Sequence, residues 1–132
     1  MILYVYTDGA SRGNPGHAGI AYVIYNEDKA ILSKYSQYIG ETTNNVAEYI
    51  ALLKAVEQVS HYKPEFVYFY LDSELVVKQL QGEYKVRSEH LMEIYKKIKN
   101  YINNINCKIE YIPRESNKIA DKLAKDASYN IK

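Results

Sequence analysis

Two short segments of the sequence, 2–8 and 66–72, repeat one pattern and both end on an aspartate. Their alternate residues run Ile2, Tyr4, Tyr6, Asp8 in the first segment and Phe66, Tyr68, Tyr70, Asp72 in the second. A period of two is typical of a β-strand that presents one face to a neighbouring layer. A helical segment separates the two runs, so we expect parallel neighbours whose carboxyl ends bring both aspartates to one edge of a sheet.

The rest of the sequence continues an α/β pattern. Segments 18–25 and 31–39 read as strands, and the polar turn from Asn26 to Lys29 predicts that they pair antiparallel. The remaining predicted elements are a strand at 107–112 and helices at 44–60, 73–81, 88–103 and 116–129. We therefore expect an α/β fold, a five-stranded mixed sheet with helices on both faces, in which residues 1–132 form a single domain.

Charge and cysteine content narrow the functional classes. With 17 Lys+Arg against 16 Asp+Glu the net charge is +1, so a nucleic acid would have to be held by local patches of charge. The one cysteine, Cys107, excludes an internal disulfide and a multi-cysteine zinc site. We expect a monomeric cytoplasmic protein with no membrane partner, because the apolar runs are shorter than the ~20 residues that span a bilayer and the N-terminus does not resemble a leader.

A third acid is predicted to join the two aspartates. In the helix at 44–60, Glu48 falls opposite the solvent face that Lys54 and Glu57 mark, so its side chain points toward the sheet. Three partly buried carboxylates repel unless a cation neutralises them, and hard oxygen ligands suit Mg²⁺ or Mn²⁺. The alternatives are that each aspartate caps a turn or a helix, and that Glu48 completes a capping box with Asn45 as N-cap.

Four segments carry a resemblance to a known family. They are TDGASRGNPG at 7–16, ETTNNVAEYIALLKAV at 41–56, FYLDSELVVKQL at 69–80 and IPRESNKIADKLAKDA at 112–127. In this order and spacing they resemble type 1 ribonuclease H. The resemblance implies an endonuclease that hydrolyses the RNA strand of RNA–DNA hybrids with two divalent metal ions, Mg²⁺ or Mn²⁺ as its substitute.

The same resemblance implies the catalytic residues and metal ligands, which are Asp8, Glu48, Asp72 and Asp121. Asp121 rests on the resemblance alone. Helical periodicity places it outside the apolar stripe of the last helix, where the ordinary interpretation is a solvated residue paired with Lys125.

The residues expected to contact the hybrid follow from the resemblance as well. Asn14, Asn44 and Asn45 occupy the family's positions, and neutral amide groups suit contact with the 2′-hydroxyl that distinguishes RNA from DNA. The other candidates are Gly9, Ser11, Thr43 and Ser73. From the residues alone, Asn44 and Asn45 would be helix-start residues. The segment after Asp8 would be a tight turn.

Two departures from the family pattern bear on substrate binding. Many members carry an inserted basic helix and loop, whereas segment 79–91 passes from one helix to the next with only Lys85 and Arg87. Some members also have a histidine before the last helix, where this chain has Arg114 and Glu115. Two alternative functions therefore stay open, a relative that cleaves double-stranded RNA and a catalytically idle nucleic-acid-binding module of the same fold.

Overall fold

Five strands form one sheet in the computed structural model, which describes residues 1–131. The strands are β1 (Ile2–Gly13), β2 (Gly16–Tyr25), β3 (Ile31–Thr42), β4 (Phe66–Leu71) and β5 (Cys107–Tyr111), and they lie in the order β3-β2-β1-β4-β5. The helices are α1 (Asn44–Tyr62), α2 (Glu74–Leu80), α3 (Glu89–Ile102) and α4 (Lys118–Ala127), with a 3-10 turn at Arg114–Ser116. The predicted element order and the five-stranded mixed sheet are confirmed.

The central strand β1 pairs differently on its two sides. It is antiparallel to β2 and parallel to β4, as predicted. The parallel ladder ends where Thr7 lies opposite Leu71. The next residues along the two strands are Asp8 and Asp72, so the aspartates leave the ladder side by side.

The glycine-containing segment after Asp8 continues the strand, which corrects the expected turn. β1 stays paired with β2 until Gly13 lies opposite Gly16, and the reversal is confined to Asn14 and Pro15. Gly13 has a φ of 111°, a value that favours glycine and lets the chain reverse within two residues. The loop that was expected beside the aspartate therefore lies at the far end of a long hairpin.

The helices begin and end close to the predicted bounds. The first starts after Thr43, whose side chain accepts a hydrogen bond from the Val46 amide. The last starts at Lys118 instead of residue 116, because the 3-10 turn precedes it. Within residues 1–131, none of the helices combines the length and the apolar character that a membrane crossing requires.

Helices cover both faces of the sheet, as expected, but unequally. α1 packs across β1 and β2 on one face, and α2 and α3 complete the same apolar core. The largest fully buried side chains are Tyr49, Phe69, Leu3, Ile20, Ile24, Leu52, Leu71 and Ile98. On the opposite face α4 packs against β2 and β1. The rest of that face carries paired tyrosines. Tyr4 and Tyr68 are stacked with ring centroids 5.3 Å apart, and Tyr6 and Tyr70 are tilted with centroids 4.9 Å apart.

Replacing Gly19 by alanine tests the packing of α4 on β2. A Cβ at this position would collide with the backbone of Ala124 and Ser128, so the helix would have to move. We expect Gly19→Ala to lower the free energy of unfolding by about 1–3 kcal/mol in a denaturant titration. Ser36→Ala is the control, because position 36 is exposed on the neighbouring strand β3. Equal losses in the two variants would contradict the contact.

Candidate active site

Three carboxylates meet at the carboxyl end of the β1–β4 pair. One oxygen from each of Asp8, Glu48 and Asp72 lies within 4.8 Å of the other two. The aspartates follow from the paired strands, and Glu48 is on the second turn of α1. The structure brings together the three acids that strand alternation and helical periodicity selected, and their role as metal ligands stays a prediction.

Glu48 reaches the aspartates because α1 lies against β1 at a residue without a side chain. A Cβ on Gly9 would collide with the backbone of Ala47 and Glu48. The helix has Thr43 as its N-cap, so Glu48 is not at the N3 position and the capping box with Asn45 is wrong. The glycine thus admits a helix at close range, whereas its expected contact with the substrate stays a prediction.

Asp8 and Glu48 are buried, each with 3% of its surface exposed. Burial raises the pKa of Asp8 well above its usual range, and the nearby charges of Glu48 and Asp72 raise it further. Burial also raises the pKa of Glu48, although its hydrogen bond with Asp8 and the charge of Arg114 act in the opposite direction. The Oε2 atom of Glu48 is buried without a hydrogen-bond partner within residues 1–131. A bound cation would satisfy this oxygen and remove the repulsion, so the donor set fits Mg²⁺ or Mn²⁺.

Asp121 lies on α4 at the border of this cluster. Its carboxylate pairs with Lys125 Nζ at 3.1 Å, as the helical spacing predicted. It also lies close enough to Asp8 to contribute to the raised pKa of that carboxyl. The side chain is 18% exposed, so a residue that periodicity assigns to solvent is adjacent to the other three acids.

Asn117 belongs to the site and was missed from the sequence. It is 2% exposed, and its Nδ2 donates to the Thr7 carbonyl and to Asp72 Oδ2, both at 2.9 Å. These bonds hold the Asp72 carboxylate against the end of β1. The only sequence signal was its place inside the last motif, and the helix predicted from 116 gave no reason to expect an inward side chain.

Two asparagines lock the far end of the hairpin to the start of α1. Asn14 Oδ1 accepts a hydrogen bond from the Asn44 amide at 3.0 Å, and Asn44 Oδ1 accepts one from the Ser11 amide at 3.3 Å. Thr43 caps α1, as described, and Ser73 caps α2 by accepting from the Val76 amide at 3.3 Å. The expected substrate residues therefore include structural caps, and their contacts with a substrate stay predictions.

A groove lies where the start of α1 meets α2 and the short connection between α2 and α3. The residues that line it are Asn45, Leu75, Gln79, Glu83, Tyr84, Lys85, Arg87, Ser88 and Leu91. Lys85 and Arg87 thus share one surface with Asn45, a predicted substrate residue. Asn45 lies in this groove, whereas Asn14 and Asn44 make the hydrogen bonds between the hairpin and α1.

Comparison with known proteins identifies the family. The family model described as "Reverse transcriptase-like" matches residues 6–127. LC11-RNase H1, solved in complex with an RNA/DNA hybrid, is 43% identical and superposes with a TM-score of 0.91 over 97% of each chain. This chain belongs to the type 1 ribonuclease H family.

Relatives from two organisms support this membership. The ribonuclease H1 of the archaeon Halobacterium salinarum is 33% identical, with a TM-score of 0.93 over 99% of this chain and 100% of that one. The bifunctional protein Rv2228c of Mycobacterium tuberculosis is 37% identical over 131 residues, which are 96% of this chain and 35% of that protein. The chain therefore spans about a third of the length of a curated relative that it matches.

The buried acids predict how stability changes with pH in the absence of metal. Raised pKa values mean that the folded state favours the protonated carboxyls, so their stabilisation is present at low pH and is lost as pH rises. In EDTA we expect the free energy of unfolding to fall between about pH 5 and about pH 8. Asp8→Asn should flatten this dependence and melt at a higher temperature than wild type at the upper pH.

The control for this experiment is Asp126→Asn, which removes a carboxylate that is 63% exposed and paired with Lys122. Its pH dependence should match that of wild type. A metal-free wild-type protein whose stability does not fall over this range would show that the acids at the site do not repel.

Proposed function

We propose that this protein is an endonuclease that hydrolyses the RNA strand of RNA–DNA hybrids with the help of divalent metal ions. The observation that carries the proposal is the convergence of three carboxylates, two of them buried, at the carboxyl end of two parallel strands. Such a cluster costs stability unless a cation binds it. The proposal is supported by the solved relative in complex with an RNA/DNA hybrid.

The residues that would hold two Mg²⁺ ions are Asp8, Glu48, Asp72 and Asp121, and we propose Mn²⁺ as a substitute. When bound, such ions activate a water molecule and stabilise the leaving oxygen of a phosphodiester. The protein contributes the arrangement of the ligands. Asn117 fixes the Asp72 carboxylate through a hydrogen bond of 2.9 Å, and Gly9 lets α1 present Glu48 to the same point.

We assign recognition of the RNA strand to Asn14 and Asn44, whose hydrogen bonds join the end of the hairpin to the start of α1. Since both Oδ1 atoms accept backbone N–H groups, the Nδ2 groups of Asn14 and Asn44 are the polar atoms left to these side chains. They donate hydrogen bonds, which suits a 2′-hydroxyl oxygen or an acceptor on a base edge in the minor groove. We propose Gly9, Ser11, Asn45, Thr43 and Ser73 as the neighbouring contacts.

The phosphate backbone of the hybrid is assigned to the groove that contains Lys85 and Arg87. Phosphate contacts supply affinity and position, and they make binding sensitive to salt. With two cations on this surface and a net charge of +1, we expect binding weaker than that of relatives with the inserted basic element.

We also propose that residues 1–132 act as one monomeric domain in the cytoplasm. All five strands belong to one sheet, and Asp8, Glu48 and Asp72 meet without a contribution from a second chain.

The first test of function is cleavage. With Mg²⁺ or Mn²⁺ the protein should cut the RNA strand of a labelled hybrid, leaving 3′-hydroxyl and 5′-phosphate ends, and EDTA should abolish the reaction. Asp72→Asn should reduce cleavage by roughly a hundredfold or more while hybrid binding persists, because a ligand charge is removed. A gel assay with labelled strands measures both.

Asp126→Asn, remote from the cluster, is the matched control and should cut at the wild-type rate. Double-stranded RNA and double-stranded DNA belong in the same assay. Cleavage of double-stranded RNA alone would favour the alternative nuclease, and binding of hybrid without cleavage would favour the idle module. An Asp72→Asn protein with full activity would contradict the metal site.

The second test concerns the groove. Replacing Lys85 and Arg87 together by alanine should weaken hybrid binding and reduce the slope of log K against log salt by about 1 for each phosphate that the protein no longer neutralises. Lys54→Ala is the control, since this lysine pairs with Glu57 on the solvent side of α1. Fluorescence anisotropy across a salt series measures the slope, and equal slopes for wild type and the double variant would remove the groove from the substrate path.

A further inference from the structure

A buried hydrogen-bonded chain joins α1 to the loop between α2 and α3. The Tyr49 hydroxyl donates to Gln79 Oε1 at 2.6 Å, and Gln79 Nε2 donates to the Lys85 carbonyl at 3.1 Å. Tyr49 is fully buried and Gln79 is 6% exposed. In such surroundings water does not compete for these bonds, and an unpaired partner would be costly. These two hydrogen bonds therefore fix the backbone carbonyl of Lys85 in an otherwise exposed loop.

The loop has few other polar attachments. Among the hydrogen bonds of residues 1–131, the one from Gln79 alone reaches the backbone of residues 85–87. The side chain of Val86 packs against the apolar core. Its neighbours Lys85 and Arg87 line the groove on the surface. One hydrogen bond and one apolar contact thus set where the two cations lie.

The hydrogen-bonded chain starts at Tyr49 on α1, the helix that carries the proposed substrate residue Asn45 and the proposed metal ligand Glu48. Tyr49 follows Glu48 directly and lies four residues after Asn45, so all three are within about one turn of α1. Asn45 lines the same groove as the two loop cations. The Tyr49–Gln79 link therefore sets the spacing between the cations and the helix that presents Asn45.

We propose that Tyr49 and Gln79 are positioning residues that hold Lys85 and Arg87 in place for the backbone of the hybrid. The proposal rests on the proposed function and adds to it two residues that act through the loop that carries the two cations. A loop ordered before binding does not lose its conformational freedom on binding. Ordering the loop in advance contributes more to hybrid binding here, because two cations act in place of a whole inserted element.

The decisive variant is Gln79→Met, which keeps the length of the side chain and removes both hydrogen bonds. We expect KM for a hybrid substrate to rise roughly three- to tenfold, the loss expected for about one hydrogen bond. We expect kcat to stay within about twofold, since the acid cluster is untouched. An unchanged KM would overturn the proposal.

A double variant separates positioning from stability. Adding Tyr49→Phe to Gln79→Met removes the hydroxyl that the single change leaves unpaired, so part of the stability should return. The KM should stay raised, because the Lys85 carbonyl is still unbound. If KM recovers together with the melting temperature, the pair is merely structural and the inference is wrong.

Backbone NMR order parameters provide a readout that needs no activity. The order parameters of residues 85–87 should fall in Gln79→Met relative to wild type, because the loop loses the hydrogen bond to the Lys85 carbonyl. Val59→Ala, a core change at a fully buried position of α1, should lower stability without this local effect. Unchanged order parameters at 85–87 in Gln79→Met would overturn the positioning role. Failure of wild type to bind or cut the hybrid would instead overturn the proposed function, whatever the order parameters show.

Discussion

The contact between α1 and β1 at Gly9 sets the geometry of the site. β1 and α1 approach each other so closely there that not even one methyl group fits between them. Glu48 consequently lies among the aspartates. The arrangement is electrostatically unfavourable, because two of the three carboxyls are buried and their pKa values are raised. The surrounding fold must hold them together, and Asn117 and the parallel ladder supply that constraint from two sides.

The sequence reveals the parts of this site that depend on local pattern. Asp8 and Asp72 end two runs with the same alternation, and Glu48 lies on the inner side of a regular helix, so strand and helix geometry was enough to bring them together. Asp121 and Asn117 could not be placed in this way. Their positions depend on where α4 crosses the sheet, and that crossing is set by Gly19 and by the packing of the helix end, which periodicity does not describe.

The other difference between prediction and structure is the length of β1, and it concerns turn preferences. The glycines and proline after Asp8 indicated an immediate reversal, but cross-strand pairing with β2 continued the strand to Gly13. Ladder hydrogen bonds over several residues outweigh the weak preference of single glycines for turns. The result moves Asn14 to the start of α1, where its partner Asn44 lies. The resemblance to the family selected both asparagines as substrate residues, which stays a prediction, and it did not indicate that Asn14 accepts a hydrogen bond from the Asn44 amide.

The order of the elements along the chain has a consequence for folding. Asp8 is near one end of the sequence, Glu48 and Asp72 follow after long intervals, and Asn117 comes with the last helix. Parallel pairing of β1 with β4 must close a loop that contains β2, β3 and α1, and such non-local contacts form slowly. The core can be largely buried before α4 docks, since that helix packs on the opposite face. The return of catalytic competence during refolding would then follow the docking of this final helix, and it would lag behind the burial of the tyrosine and leucine side chains of the core.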